Sequence, residues 1–201
     1  QDITSLGIGG VENPSICIKA FTKDSDNVGP IIEFETNGST TYKRTQGTKV
    51  TVTDPSGVNN STLRYVWTQS TSQPIDSEFN GIYENNSVVS NSKDTGNNWY
   101  LWVVAKDLQG NTTYKRTEAF YLDNTLPTAP TISNAQNNIY TKDNASITVN
   151  GSTALSGIAR YQYSLNNGTT WNDISGTIEI NKSGIYQIRA RAVSNVGLTG
   201  S

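Results

Sequence analysis

The sequence predicts an all-β protein made of two tandem β-sandwich domains joined by a short proline-containing linker. Three observations predict it. Short runs rich in β-branched and aromatic residues take the place of any helical periodicity. Turn signals separate those runs about every ten residues, the spacing of a sandwich. Finally, two blocks of sequence recur in the same order in the two halves of the chain.

The expected strands follow in order: Lys49 to Thr53, Leu63 to Trp67, Trp99 to Ala105, Ala119 to Leu122, Ser146 to Val149, Tyr161 to Tyr163 and Ile185 to Ala192. Between them, Asn37-Gly38, Asn80-Gly81, Asn150-Gly151 and Asn167-Gly168 supply residues that take positive φ cheaply, as tight hairpins require. The pentamer Thr41-Tyr42-Lys43-Arg44-Thr45 returns as Thr113-Tyr114-Lys115-Arg116-Thr117. Its paired cations suit edge strands, where charge discourages sheet-to-sheet aggregation.

The repeat is carried by two pairs of blocks. Ser56-Gly57-Val58 followed by Leu63 to Thr68 matches Ser156-Gly157-Ile158 followed by Ala159 to Ser164, which equates Tyr65 and Trp67 with Tyr161 and Tyr163. Trp99 to Ala105 with Gly110 matches Tyr186 to Ala192 with Gly197. Asp123-Asn124-Thr125-Leu126-Pro127-Thr128-Ala129-Pro130 marks the boundary, because two prolines in four residues block ladder pairing and stiffen a connector. The expected division is an N-terminal strand or extension over 1–27, a first domain over 28–124 and a second over 125–201. Ser15 to Thr22 reads as the last strand of a preceding unit or an extra strand. The second domain lacks a counterpart of Ala119 to Leu122, so head-to-tail strand exchange into a filament is one further arrangement.

The residues Asp54-Pro55-Ser56-Gly57, Tyr161 to Trp171, Val104 to Asn111, and Leu122-Asp123-Asn124-Thr125 with Pro127 resemble the tandem immunoglobulin-like (Big-type) repeats of bacterial surface and secreted proteins. The resemblance covers about residues 28–201. It implies immunoglobulin-like sandwiches and an extracellular or cell-surface setting. It also implies a non-catalytic spacer or adhesin stalk whose partners are neighbouring repeats and, for an adhesive module, a host glycan or protein. A phage-fibre module has the same signature. In the second copy Ser194 stands for Asp107 and Leu198 for Asn111.

Composition removes other classes. Of 201 residues, 34% are hydrophobic and 16% charged, and none is histidine. Ser-His-Asp catalysis and imidazole metal sites are therefore excluded. Cys17 is alone, so no internal disulfide forms. A net charge of −2 with pI near 5.1 argues against nucleic acid as a partner. No apolar run approaches the ~20 residues of a membrane helix, so no membrane insertion is expected. Asp54, Asp76, Glu78, Glu84, Asp107 and Asp173 all fall in polar or turn-like stretches, unlike a glycosidase carboxylate pair. No enzymatic activity is expected.

Side-chain alternation assigns the faces. Ile188, Ala190 and Ala192 must be core, since the alternative buries unpaired Arg189 and Arg191. The same phase places Trp99, Leu101, Val103 and Ala105 inside the first domain. Val66, Tyr100, Trp102 and Val104 then lie outside, where the second domain has Gln162, Gln187, Arg189 and Arg191. Such an aromatic patch is the candidate ligand-binding face, unless Ser15 to Thr22 or the insert around Ile75 to Val89 covers it. Trp171 is expected in the core. Asp107, Asn111, Asp123 and Asn124 are the candidate donors for Ca²⁺ at the domain 1–2 linker, since oxygen-only sets suit that ion. The competing reading is that Asp107 and Asn111 cap their own turn. No other cofactor is implied.

Overall fold

The computed structural model describes residues 26–134 and 145–201. Ser15 to Thr22 lies outside them. The first unit has a three-stranded antiparallel sheet of β1 (Ile31–Phe34), β3 (Gln46–Thr53) and β6 (Ser87–Asn91), in the order β1-β3-β6. Facing it is a second sheet of β2 (Ser39–Lys43), β9 (Phe120–Leu122), β7 (Gly96–Lys106), β4 (Arg64–Thr68) and β5 (Gly81–Ile82) in that order, with β8 (Thr112–Arg116) also on β7. Only β2 and β9 run parallel among these pairs. The second unit repeats the plan with β10 (Thr131–Ser133), β11 (Ala145–Asn150) and β14 (Ile178–Ile180) against β13 (Asn172–Asp173), β12 (Ile158–Ser164), β15 (Arg189–Ser194) and β16 (Thr199–Gly200).

Alternation builds the cores. Along β3, Gln46, Thr48, Val50 and Val52 are buried while their neighbours are not. Val50 and Val52 meet Ile32, Leu63, Tyr83, Val89, Leu101, Val103 and Ala105, with Tyr65 and Trp67 packed around them. The second core is smaller, with Ile147, Val149, Ile178 and Ala190 ringed by Tyr161, Tyr163 and Ile188. Trp99 is half-buried, and its indole N–H donates to the Thr95 carbonyl at 3.0 Å.

One strand organises the first unit. Over its first half β7 pairs with β9, and over its second half with β8. At the changeover the ladder would lose a rung. Thr117, fully buried, replaces it: its hydroxyl accepts from the Leu101 N–H at 3.0 Å, and its own N–H donates to the Leu101 carbonyl. Both copies of the repeated pentamer lie on this side of the sheet, in β2 and β8, as edge strands do.

Two expectations need correcting. The match between the copies slips by two residues in one strand. Tyr65 faces Val103, whereas Tyr161 faces Ala192 and Tyr163 faces Ala190. The turn bonds equate Asp107 with Ser194: Asp107 N–H donates to Asn111 and Leu108 N–H to Gly57, just as Ser194 N–H donates to Leu198 and Asn195 N–H to Gly157. Counting back, Val103 corresponds to Ala190, so Tyr65 corresponds to Tyr163. A slip of two keeps every side chain on its face, which is why the inside-outside assignment survives it. Second, the strand expected from Ile185 begins only at Arg189. Ile185 is 97% exposed, in a turn closed by the Tyr186 hydroxyl donating to the Lys182 carbonyl.

Candidate functional site

The expected ligand-binding face is not open. Trp102 and Val104 are 9% and 8% exposed and form a second small core with Phe79, against which Val66, Tyr100 and Tyr114 pack. The cover is the connection over residues 69–86. It turns back across the sheet, places Phe79 against Tyr114 with ring centroids 5.8 Å apart, and accepts the Trp102 indole N–H on the Ser70 carbonyl at 3.3 Å. The Tyr114 hydroxyl donates to Asp76 in the same connection, and that bond, with partial burial and the Asp76 charge, raises its pKa. Arg116 closes the far side, its guanidinium 4.5 Å from the Tyr100 ring centroid. The aromatic residues were legible in the sequence; their cover required knowing which way a loop folds.

The four expected calcium donors do not come together. Asp107 follows the end of β7, while Leu122, before Asp123, pairs with Gly96 at its start. Strand geometry therefore separates the two pairs by roughly 30 Å. Asp107 is buried, and its carboxylate accepts from Gln109 N–H, Asn111 N–H and the Asn111 side-chain amide at 2.6–2.9 Å. Burial works to raise its pKa. Hydrogen bonds from Asn111, Gly110 and Gln109 more than offset this and hold it below the ordinary value. These are the contacts of a capped turn.

Sequence reasoning missed what does gather there. Asp26 and Asp54 bring carboxylate oxygens within 4.8 Å of Asp107 and of each other. Asp54 accepts from Ser56 N–H and hydroxyl, Asp26 from Val28 N–H, and Asn111 turns its amide nitrogen toward the Asp26 carbonyl. The nearest signal in the sequence is the weak likeness of Asp24-Ser25-Asp26-Asn27-Val28-Gly29 to a calcium loop, in which Val28 stands where an oxygen donor is needed.

At the other end of the first unit, Asp123 and Asn124 build a junction. Asp123 is fully buried. Its N–H donates to the Lys43 carbonyl at 3.1 Å, tying it to β2. One carboxylate oxygen accepts from Thr125 N–H at 3.1 Å; the other reaches across to Ser156 N–H of the second unit at 2.9 Å. Asn124 donates to the Arg44 and Asp94 carbonyls at 3.0 and 2.8 Å. Beyond it, Thr128 and Thr153 exchange bonds of 2.9 and 2.8 Å. Gly200 packs so closely on the linker that a Cβ there would lie 1.9 Å from the Pro127 carbonyl oxygen.

Trp171 is not in the core. It stands half-buried on the outer face of the second unit, with the Arg191 guanidinium 4.1 Å from its ring centroid. The Asn167-Gly168 turn, with both residues at positive φ, brings Gly168 beneath the indole edge and sends the ring outward.

Neither a known protein family nor a curated protein sequence matches this chain. Among solved structures it is similar to the fibronectin(III)-like modules of Clostridium thermocellum CbhA, at 12% identity and a TM-score of 0.37, covering 85% of this chain and 90% of that one. A cytokine receptor complex matches at 14% identity and a TM-score of 0.26, covering 85% and 91%. The human desmocollin-1 ectodomain matches at 18% identity and a TM-score of 0.30, covering 87% of this chain and 36% of that one.

Proposed function

We propose that this chain is a non-catalytic spacer: two immunoglobulin-like units held in one orientation within an extracellular bacterial surface or secreted protein. The observation that carries the reading is the Asp123 junction. Asp123 is tied to β2 of the first unit through its own N–H, and its buried carboxylate accepts from the linker and from the second unit. Losing either acceptor bond costs free energy, because a buried charge without partners is strongly disfavoured. The junction therefore favours one relative orientation, which a flexible connector would not. The aromatic face of the first unit that would serve recognition is spent on a second core.

Small-angle scattering combined with NMR residual dipolar couplings tests this. The wild type should fit one orientation of the two units. Asp123→Ala should need a broad ensemble while each unit keeps its own amide spectrum. A wild type that already requires a broad ensemble would overturn the spacer reading.

A further inference from the structure

We propose that the outer face of the second unit binds an acidic polysaccharide built from uronic acids, with Arg160, Arg189 and Arg191 taking its carboxylates. This goes beyond the spacer reading and does not rest on it.

The face is open where its counterpart is roofed. Residues 69–86 cover Trp102 in the first unit, whereas in the second Arg160, Asp173 and Arg189 are exposed and Gln162 and Arg191 half-buried. Asp173, Gln162 and Arg191 are direct register partners across three strands. Their side chains form a continuous row. Arg191 Nε donates to Gln162 Oε1 at 2.7 Å, Gln162 Nε2 to Asp173 Oδ1 at 2.7 Å, and Arg160 Nε to the same oxygen at 3.1 Å. Trp171 stacks under Arg191 and fixes the plane of its guanidinium.

What remains free identifies the ligand. The internal bonds use only the Nε atoms of Arg160 and Arg191, so their paired Nη groups have no hydrogen-bond partner among the described residues. The Arg189 side chain has no hydrogen bond or ion pair among them, its backbone alone being engaged in the ladder with Ser164. Arg189 and Arg191 are two apart on one strand face, about 7 Å. Arg160 lies diagonally from Arg191, about 7–8 Å away. Three cations, two of them held in place before binding, thus present forks that match carboxylates.

Asp173 supplies the other half of the chemistry. Its Oδ2 has no partner among the described residues and can accept from a hydroxyl. A carboxylate amid the arginines repels a polysulfate, whose several charges on each sugar take the place of hydroxyls. A chain that alternates carboxylates with hydroxyls satisfies both. The charge balance agrees: residues 125–201 carry five basic and three acidic side chains, residues 28–124 eight and ten.

Calorimetric titration of the whole chain with polygalacturonate tests the proposal. Binding should appear at low salt and weaken about tenfold or more between about 50 and 300 mM salt. Arg189→Glu, and Arg160→Glu with Arg189→Glu, should each weaken it about tenfold or more with the melting profile unchanged. Lys93→Glu, an equal charge change on the first unit, should leave it intact. No binding, equal losses for Arg189→Glu and Lys93→Glu, or tighter binding of dextran sulfate than of polygalacturonate at the same salt would each overturn it. None of these outcomes bears on the orientation of the two units, which scattering reads separately.

Discussion

Single side chains decide where this fold is sensitive. Asp107 is the clearest, because its carboxylate closes the turn after β7 with three donors. Its folded-state pKa lies below the ordinary value, so the unfolded chain takes up the proton first as pH falls. The stabilisation is therefore present above the ordinary aspartate value of about 3.9 and is lost as pH falls through the lower folded value. Asp107→Asn should lower the melting temperature of the first unit at pH 7. The gap to wild type should hold steady down to about pH 5 and close in stronger acid, as a melting series in buffers of constant ionic strength would read. A gap that stayed constant to pH 2 would show that the charge contributes nothing. The sequence offered Asp107 and Asn111 as either cap or metal ligands, and local spacing could not choose between them. Asp26 and Asp54 were out of reach of that reasoning, since only the folded sheet brings residues so distant in sequence to one end.

Among the elements, β7 shows how much periodicity can and cannot convey. Its alternation gave the buried Leu101, Val103 and Ala105 correctly, and the same phase held in β15. Periodicity gives a face but not its neighbour. Thus Trp102 was rightly placed on the outer side, yet the connection over residues 69–86 made that side interior. Trp171 failed for a related reason: hydrophobicity argued for the core, while the Asn167-Gly168 turn geometry sent the ring outward. The two-residue slip between Tyr65 and Tyr163 was invisible because both registers satisfy the same alternation. Removing the cover gives a direct check. Phe79→Ala should destabilise the first unit by about 3–5 kcal/mol, the usual cost of deleting a buried phenylalanine ring. It should also raise acrylamide quenching of indole fluorescence, and Trp102→Phe in the same background should abolish that increase. Quenching that did not change would mean the cover is held by Ser70 and Asp76 without Phe79.

Across the whole molecule, the two units share a plan but not a chemistry. The first spends its outer sheet on a second core and carries a carboxylate cluster at one end. The second has a smaller core and wears its arginines outside. Tandem organisation and the sandwich class were both legible, because prolines, glycine turns and repeated blocks are local signals. The contacts across the linker were not, since Ser156 and Gly200 meet it only after the second unit has folded. Gly200→Ala would force a Cβ against the Pro127 backbone, where no side-chain rotation relieves the clash. Chemical denaturation should show the second unit losing about 1–3 kcal/mol, the range for overpacking, while the transition of the first stays put. Equal shifts in both would mean that the units unfold as one.

The Asp123 carboxylate also gives the chain a direction of assembly. Its backbone is anchored to β2, so its position is settled once the first unit has formed, yet one of its oxygens completes a turn that belongs to the second. During synthesis from the N-terminus, the later unit thus meets an acceptor already in place.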